Sequence, residues 1–301
     1  MRSPPGVHVH GSGKVGRALA GALRRAGWQV SISSERRTPA PRIRALVVVL
    51  AVRDGMIAQV ARRWAAIGIV APDAVVLHTA GARRPEELAA IRGCCAGIGQ
   101  MHPLVSIVSN RSTACWMGAT MLVDGDPAAV AAGKRIAKAL GMVSRSAPDL
   151  DRGAYHAAAG MVAGGAAALV RAASDVLVGA GVDCRSAQRM LGPLLRSVAD
   201  NIEREGLPTA MTGAIRRGDE ATLAAHHEAV RRYAVQHTGM LAVVEAGQLA
   251  MARELHELPE FELNQLAWVV AGLKGTTKGD SRGRKRKALA VWKVDRGRPS
   301  R

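Results

Sequence analysis

Near its start the chain reads Val7-His8-Val9-His10-Gly11-Ser12-Gly13-Lys14-Val15-Gly16, and this stretch constrains everything that follows it. The alternation before the glycines has the period of a strand. After them, Val15, Ala18, Leu19, Ala22, Leu23 and Ala26 recur at three and four residues, the period of one helix face, with Arg17, Arg24 and Arg25 opposite. Strand, G-x-G-x-x-G turn and helix form the arrangement in which backbone N–H groups and a helix N-terminus meet a pyrophosphate. Gly11 permits the tight turn, Gly13 lets the phosphate approach the backbone, and Gly16 packs helix on strand. A plain βα turn that binds nothing is the alternative reading.

A dinucleotide turn of this kind needs a second strand, and Trp28 to Ser33 supplies it after Gly27. A fold selective for NAD places an acid at the end of that strand, on the ribose 2′-hydroxyl. Here Ser34 stands there, with Arg36 and Arg37 next. A hydroxyl and guanidinium groups suit a 2′-phosphate, so the cofactor reads as NADP in preference to NAD. Glu35 is the competing feature, since a one-residue shift would give it the acid's role.

The rest of the first half keeps the same rhythm. Ala45 to Val52 is apolar without alternation, as in a strand buried on both faces of a parallel sheet. Asp54 precedes a helical pattern through Trp64, and Ala74 to Leu77 is a further strand ending at His78-Thr79-Ala80-Gly81-Ala82. Pro85 opens a short helix, Gly97 to Met101 and Thr120 to Val123 read as strands, and Asp126-Pro127 starts a helix through Leu140. The sequence thus predicts a doubly wound parallel sheet over residues 1–147. Beyond it the alternation stops. Tyr155–Ala180, Ser186–Glu205, Glu220–Val235, His237–Leu255 and a segment near Leu263–Leu273 all read as helices, an all-α domain over 148–275.

Charge tests one other class of function. The net charge is +18, and residues 276–301 hold ten Lys or Arg against Asp280 and Asp295, a surplus of 10 − 2 = +8. The remainder is scattered over several helices, so the basic end reads as a solvated, disordered tail that touches nucleic acid only non-specifically. Cys94, Cys95, Cys115 and Cys184 have neither disulfide-framework nor zinc spacing, and free thiols fit the cytoplasm. The first strand begins within a few residues of Met1, which predicts no signal peptide ahead of it. Gly153–Val170 lacks Lys, Arg, Asp and Glu, but its Ala, Gly, Tyr155 and His156 read as a buried helix and not a membrane span.

In open α/β sheets ligands lie beyond the carboxyl ends of the strands. Ala51-Val52, His78-Thr79 and His102-Pro103 gather at that edge, and the helical domain offers Tyr155-His156 and Thr212-Gly213. His156 is the first choice as proton donor, Tyr155 and His102 shape the pocket, and Thr212 would hydrogen-bond a small substrate. Asp219 reads as a helix cap, and His226-His227 as solvated or packed, without a metal.

Five motifs together carry a resemblance over residues 6–255. They are Gly11–Gly16, His78-Thr79-Ala80-Gly81-Ala82, His102-Pro103-Leu104, Tyr155-His156-Ala157-Ala158-Ala159 and Ala210–Asp219. The chain resembles the two-domain Rossmann-like family of unknown function related to deazaflavin-dependent NADP oxidoreductases. Ketopantoate reductases, pyrroline-5-carboxylate reductases and β-hydroxyacid dehydrogenases are its more distant relatives. The resemblance implies a Rossmann domain, a 6-phosphogluconate-dehydrogenase-like helical domain and a homodimer through the latter. The chain departs from that pattern at Ala80, Gly164 and Ala214, where a serine, an asparagine and a proline are expected. An NADP-dependent oxidoreductase is the leading expectation, and a dinucleotide-binding sensor without turnover is the alternative.

Overall fold

The computed structural model describes residues 6–34, 42–108 and 116–274. The chain divides into two compact units, Met1–Ala163 and Gly164–Arg301. The first unit is a seven-stranded sheet of β1 (Val7–His10), β2 (Val30–Ser33), β3 (Val47–Leu50), β4 (Val75–His78), β5 (Gly97–Pro103), β6 (Thr120–Gly125) and β7 (Val143–Arg145). The strand order is β2-β1-β3-β4-β5-β6-β7, and every pairing is parallel except β5 with β6. The chain therefore reverses its winding between β1 and β3, the crevice where such sheets take ligands. His10, Leu50, His78 and Gln100 stand in register across that edge.

Both faces of the sheet are covered, which explains the unbroken apolar runs of β3 and β4. Helices α1 (Lys14–Arg25) and α3 (Pro127–Ala139) lie on one side, over Val7, Val9, Val47 and Val49. Helix α2 (Ile57–Ile67) and a 3-10 helix over Pro85–Cys94 cover the other, against Val48, Leu50 and Val76. On β1 the alternation therefore sends the valines one way and the histidines the other. His10 meets the Trp64 ring edge-on, with centroids 4.9 Å apart.

Helix α4 (Arg152–Gly179) begins in the first unit and ends in the second. By length and composition it could cross a membrane. The buried helix expected over Gly153–Val170 is not what the structure shows: no residue of that stretch is buried and most are exposed. The first turns of α4 are tied to the sheet through an Arg152–Asp124 ion pair and a Tyr155–His102 hydrogen bond, and its second half carries an Arg171–Asp175 pair. The second unit continues with α5 (Cys184–Glu205), α6 (Glu220–Ala234), α7 (Thr238–Leu255) and α8 (Glu260–Lys274). Asp219 caps α6 by accepting from the Thr222 N–H, as expected. His227 is buried and contacts Glu245 at 2.6 Å, a packed role.

Candidate functional site

The three loop glycines are required for three separable reasons. Gly11 has φ +121°, and a Cβ there would lie 2.3 Å from the Ala51 carbonyl oxygen. The turn after β1 is thus pressed against the end of β3. A Cβ on Gly16 would come within 1.9 Å of the Gly11 carbonyl oxygen, so α1 is seated directly on the turn. Gly13 differs: nothing lies within 4 Å of its would-be Cβ. It is also the N-cap of α1 and offers no side chain to that helix end. An open space in front of an uncapped helix N-terminus fits a pyrophosphate. Ser12, Gly13, Lys14 and Val15 keep some exposure around it, while Gly16 is buried.

Ala51 and Val52 continue from β3 at the same edge, and the Ala51 N–H donates to the His10 carbonyl. Thr79 is linked to the same strand end, its N–H donating to the Leu50 carbonyl at 3.1 Å. Ser34 directly follows β2. Arg36 and Arg37, the other half of the 2′-phosphate expectation, lie outside the described residues, as does the basic tail.

The His78 loop is organised from beneath. The His78 ring is fully buried, and Nδ1 accepts from the Ala80 N–H at 3.2 Å while Nε2 donates to the Arg84 carbonyl at 3.0 Å. Burial lowers its pKa, which keeps the ring neutral, and the two hydrogen bonds fix that tautomer. Its imidazole therefore holds the loop. Gln100, one strand over, adds a second hold by donating Nε2 to the Ala80 and Gly81 carbonyls.

Above this loop the structure brings His102 and Tyr155 together. Tyr155 Oη and His102 Nδ1 are 2.8 Å apart, a hydrogen bond across 53 residues of sequence. Burial first, then the neighbouring His156, holds the His102 pKa down to about 4. Burial also pushes the Tyr155 phenol up, against the opposing charge of Arg152. At neutral pH the pair is a neutral imidazole and an intact phenol. A Cβ on Gly81 would stand 2.8 Å from His102 Nε2, so only glycine leaves room for the ring. The exposed His156 ring lies 6.3 Å from His102 between centroids, flanking the pair. Thr212 is exposed, in a loop of the second unit.

Sequence reasoning passed over Arg152 and Gln100. Both are buried, and each is partnered from a distant strand or loop, so no local pattern marks them. Among the described residues no group of His, Cys, Asp and Glu could hold a metal ion.

Residues 119–241 match the domain of unknown function DUF2520. No curated protein matches the sequence. Among solved structures, a presumed NADP oxidoreductase from Bacteroides fragilis aligns at 18% identity and TM-score 0.61, covering 85% of this chain and 99% of that one. A 1-pyrroline-5-carboxylate reductase from Streptococcus pyogenes aligns at 12% identity and TM-score 0.57, covering 90% and 98%. An imine reductase from Pseudomonas aligns at 16% identity and TM-score 0.56, covering 87% and 99%. At these identities the likeness is one of fold, a Rossmann-like sheet domain followed by helices. These matches agree with the resemblance read from the motifs.

Proposed function

We propose that the protein is an NADP-dependent oxidoreductase acting on a small carbonyl, imine or hydroxy-acid substrate. The observation that carries the reading is the Tyr155–His102 hydrogen bond, set at the same sheet edge as the open Gly13 turn. The similarity to folds that include an NADP oxidoreductase and an imine reductase supports it. A bound nicotinamide supplies or accepts the hydride; the residues here do the rest. The first N–H groups of α1 hold the pyrophosphate, and Thr79 and the Ala51-Val52 backbone border the nicotinamide end. Tyr155 carries the proton that a substrate oxygen or nitrogen takes up as its carbon is reduced. His102, in the tautomer protonated at Nδ1, donates to the phenol oxygen and so leaves the phenol proton for the substrate, and His156 closes one side. The test is a panel of carbonyl and imine compounds followed by loss of NADPH absorbance, with Tyr155→Phe beside the unmodified chain. Turnover that falls at least about 100-fold in Tyr155→Phe is expected. Saturable NADPH binding without turnover across the panel would leave the sensor reading in its place.

The working form in this proposal is a cytoplasmic homodimer joined through the helical unit. Met190, Leu194, Val198 and Ile202 recur at four-residue spacing along α5, all exposed, and Ala187 is the helix's one buried residue. Covering such a stripe stabilises by roughly 1.5–3 kcal/mol per side chain, and a second copy presents the same stripe. Light scattering should give a dimer, and Leu194→Glu with Val198→Glu should give monomers. A monomer in the unmodified protein would refute it.

A further inference from the structure

We infer that Arg152 is a positioning residue for Tyr155: it pins the start of α4 so that the phenol meets His102, and it lends its positive charge to the oxygen that Tyr155 bares when its proton passes to substrate. The inference rests on the proton-donor role proposed for Tyr155 and adds to it a residue that acts through the phenol.

Register sets both anchors on one face of the sheet. Across the antiparallel β5–β6 ladder Gln100 pairs with Asp124 and His102 with Leu122, so Asp124 and His102 point the same way. Arg152 and Tyr155, three residues apart on α4, likewise share one side of their helix. The helix is therefore held at two points, Arg152 to Asp124 on β6 and Tyr155 to His102 on β5. The guanidinium also acts on the site itself. Burial pushes the Tyr155 phenol up, and Arg152 is the charge that draws it back down. Burial lowers the His78 ring, and Arg152 adds to that lowering.

Stability gives little reason for this arrangement. The Arg152 side chain is 3% exposed and that of Asp124 14%, and a buried ion pair is often no more stabilising than apolar residues of the same size. Only Nη2 of Arg152 is engaged, while Nε and Nη1 are buried and donate to no group among the described residues. Asp124 divides its carboxylate between Arg152 and the Gly125 N–H. Arg152 is also the first residue of a 28-residue helix, the end at which the macrodipole disfavours a cation. Asp151 already caps that end by accepting from the Ala154 N–H. What such a charge does well is stabilise an anion formed beside it. In the proposed reduction the Tyr155 O–H bond breaks, its proton goes to the substrate oxygen or nitrogen, and the electron pair stays on Oη until water returns a proton. His102 donates to that oxygen, and Arg152 supplies a countercharge that is already in place and needs no rearrangement.

The chain has two tyrosines, so Tyr233→Phe leaves Tyr155 as the sole phenol. The test uses full-length Tyr233→Phe protein grown on fluorotyrosine, whose phenol ionises below that of tyrosine, titrated by fluorine NMR without NADPH or substrate. Arg152→Gln with Asp124→Asn removes both charges and keeps a hydrogen bond between the pair, and the Tyr155 midpoint should rise by about one pH unit. Arg152→Gln alone, with Asp124 left uncompensated, should raise it further and is read in its place if the double variant does not fold. Arg152→Lys keeps the charge and should raise it less than either. If Arg152 were only a brace, loosening α4 would admit water, and the midpoint would fall towards that of free fluorotyrosine. An unchanged or lowered midpoint, a rise in Arg152→Lys as large as in Arg152→Gln, or failure of both neutral variants to fold would each overturn the inference. None of these readings needs hydride transfer, so a failed donor role, seen as full turnover in Tyr155→Phe, is told apart from a failed role for Arg152.

Discussion

Changing the loop glycines one at a time should separate what holds the fold from what holds the cofactor. At Gly16 a Cβ would sit 1.9 Å from a backbone oxygen, where ordinary contact begins near 3.4 Å, a deficit of 3.4 − 1.9 = 1.5 Å. The obstructing atom belongs to Gly11, whose own backbone is locked by its positive φ, so α1 must move instead. That movement drags Ala18, Leu19, Ala22 and Leu23 out of a close-packed core. Overpacking of this kind costs about 1–3 kcal/mol, and at roughly 2–4 °C per kcal/mol Gly16→Ala should melt about 2–12 °C lower. Gly13 faces open space, so Gly13→Asp should cost the fold nothing. Asp is a good N-cap and should stabilise α1 by a few tenths of a kcal/mol. The same carboxylate would then stand where the pyrophosphate must approach. Like charges about 4 Å apart repel by about 1–4 kcal/mol between bulk water and a protein surface. With the lost contacts added, NADPH affinity should fall about 100-fold. Differential scanning fluorimetry and calorimetry read the two effects independently. An unchanged NADPH affinity in Gly13→Asp, with the protein folded, would show that the loop does not bind the cofactor.

Other consequences are checked as directly. Gly81→Ala should push the His102 ring out of its place, raising its pKa from about 4 towards the ordinary histidine value of about 6.5 in an NMR titration and cutting any turnover by roughly 100-fold; a ring still titrating near 4 would contradict the geometry. His10 is likewise held to about 4 by burial, then by His8 and Arg63. Both histidines are neutral when folded, whereas the unfolded chain takes up protons below about 6.5. Their stabilisation is thus complete above 6.5 and is lost as pH falls towards 4, by about 2 kcal/mol each at pH 4.5; equal urea midpoints at pH 7.5 and 4.5 would exclude this. Arg36→Ala with Arg37→Ala should weaken NADP(H) about ten-fold or more and spare NAD(H), and equal losses would refute the 2′-phosphate role.

The sheet and helices were legible because burial on both faces writes itself into sequence. The runs through Val47–Leu50 and Val75–His78 read as central strands, and Lys14–Arg25 showed its face by period alone. The antiparallel β6 was not legible, since direction depends on how a connection returns and not on composition. Strand β7, three residues with no apolar run, has nothing to announce it. For the site, the motif residues pointed to the right edge, but pairing did not follow from them. Tyr155 and His102 were both singled out, yet only the fold reveals that they share a proton. Arg152 was invisible because a lone arginine beside a helix start ordinarily faces water. Asp124, which buries it, is 28 residues away on a strand whose direction was itself unread.

The histidines of β1 show how the same strand serves core and site. Alternation assigned them to one face, and a polar residue facing a helix must find partners or destabilise the sheet. The partners come from β2: His8 Nδ1 meets Ser31 Oγ at 2.8 Å, His8 Nε2 meets Ser33 Oγ at 2.9 Å, and Ser33 Oγ meets His10 Nδ1 at 2.8 Å. Ser33 has one proton to give, so it cannot donate to both rings; its full hydrogen-bonding capacity within the network is used when one imidazole donates to it and the other accepts from it. A neutral imidazole also has one donor and one acceptor nitrogen. The chain Ser31–His8–Ser33–His10 is therefore ordered in one direction, and protonating His8, which is bonded through both nitrogens, would turn its acceptor into a donor and break it. That requirement and burial act in the same sense, both keeping the rings neutral. Ser33 ends β2 beside the expected ribose position, and His10 precedes Gly11. The network thus joins the ends of β1 and β2, the two segments that hold the adenosine end of the dinucleotide in the function proposed above, and loses its order at the acid pH where the rings take up protons.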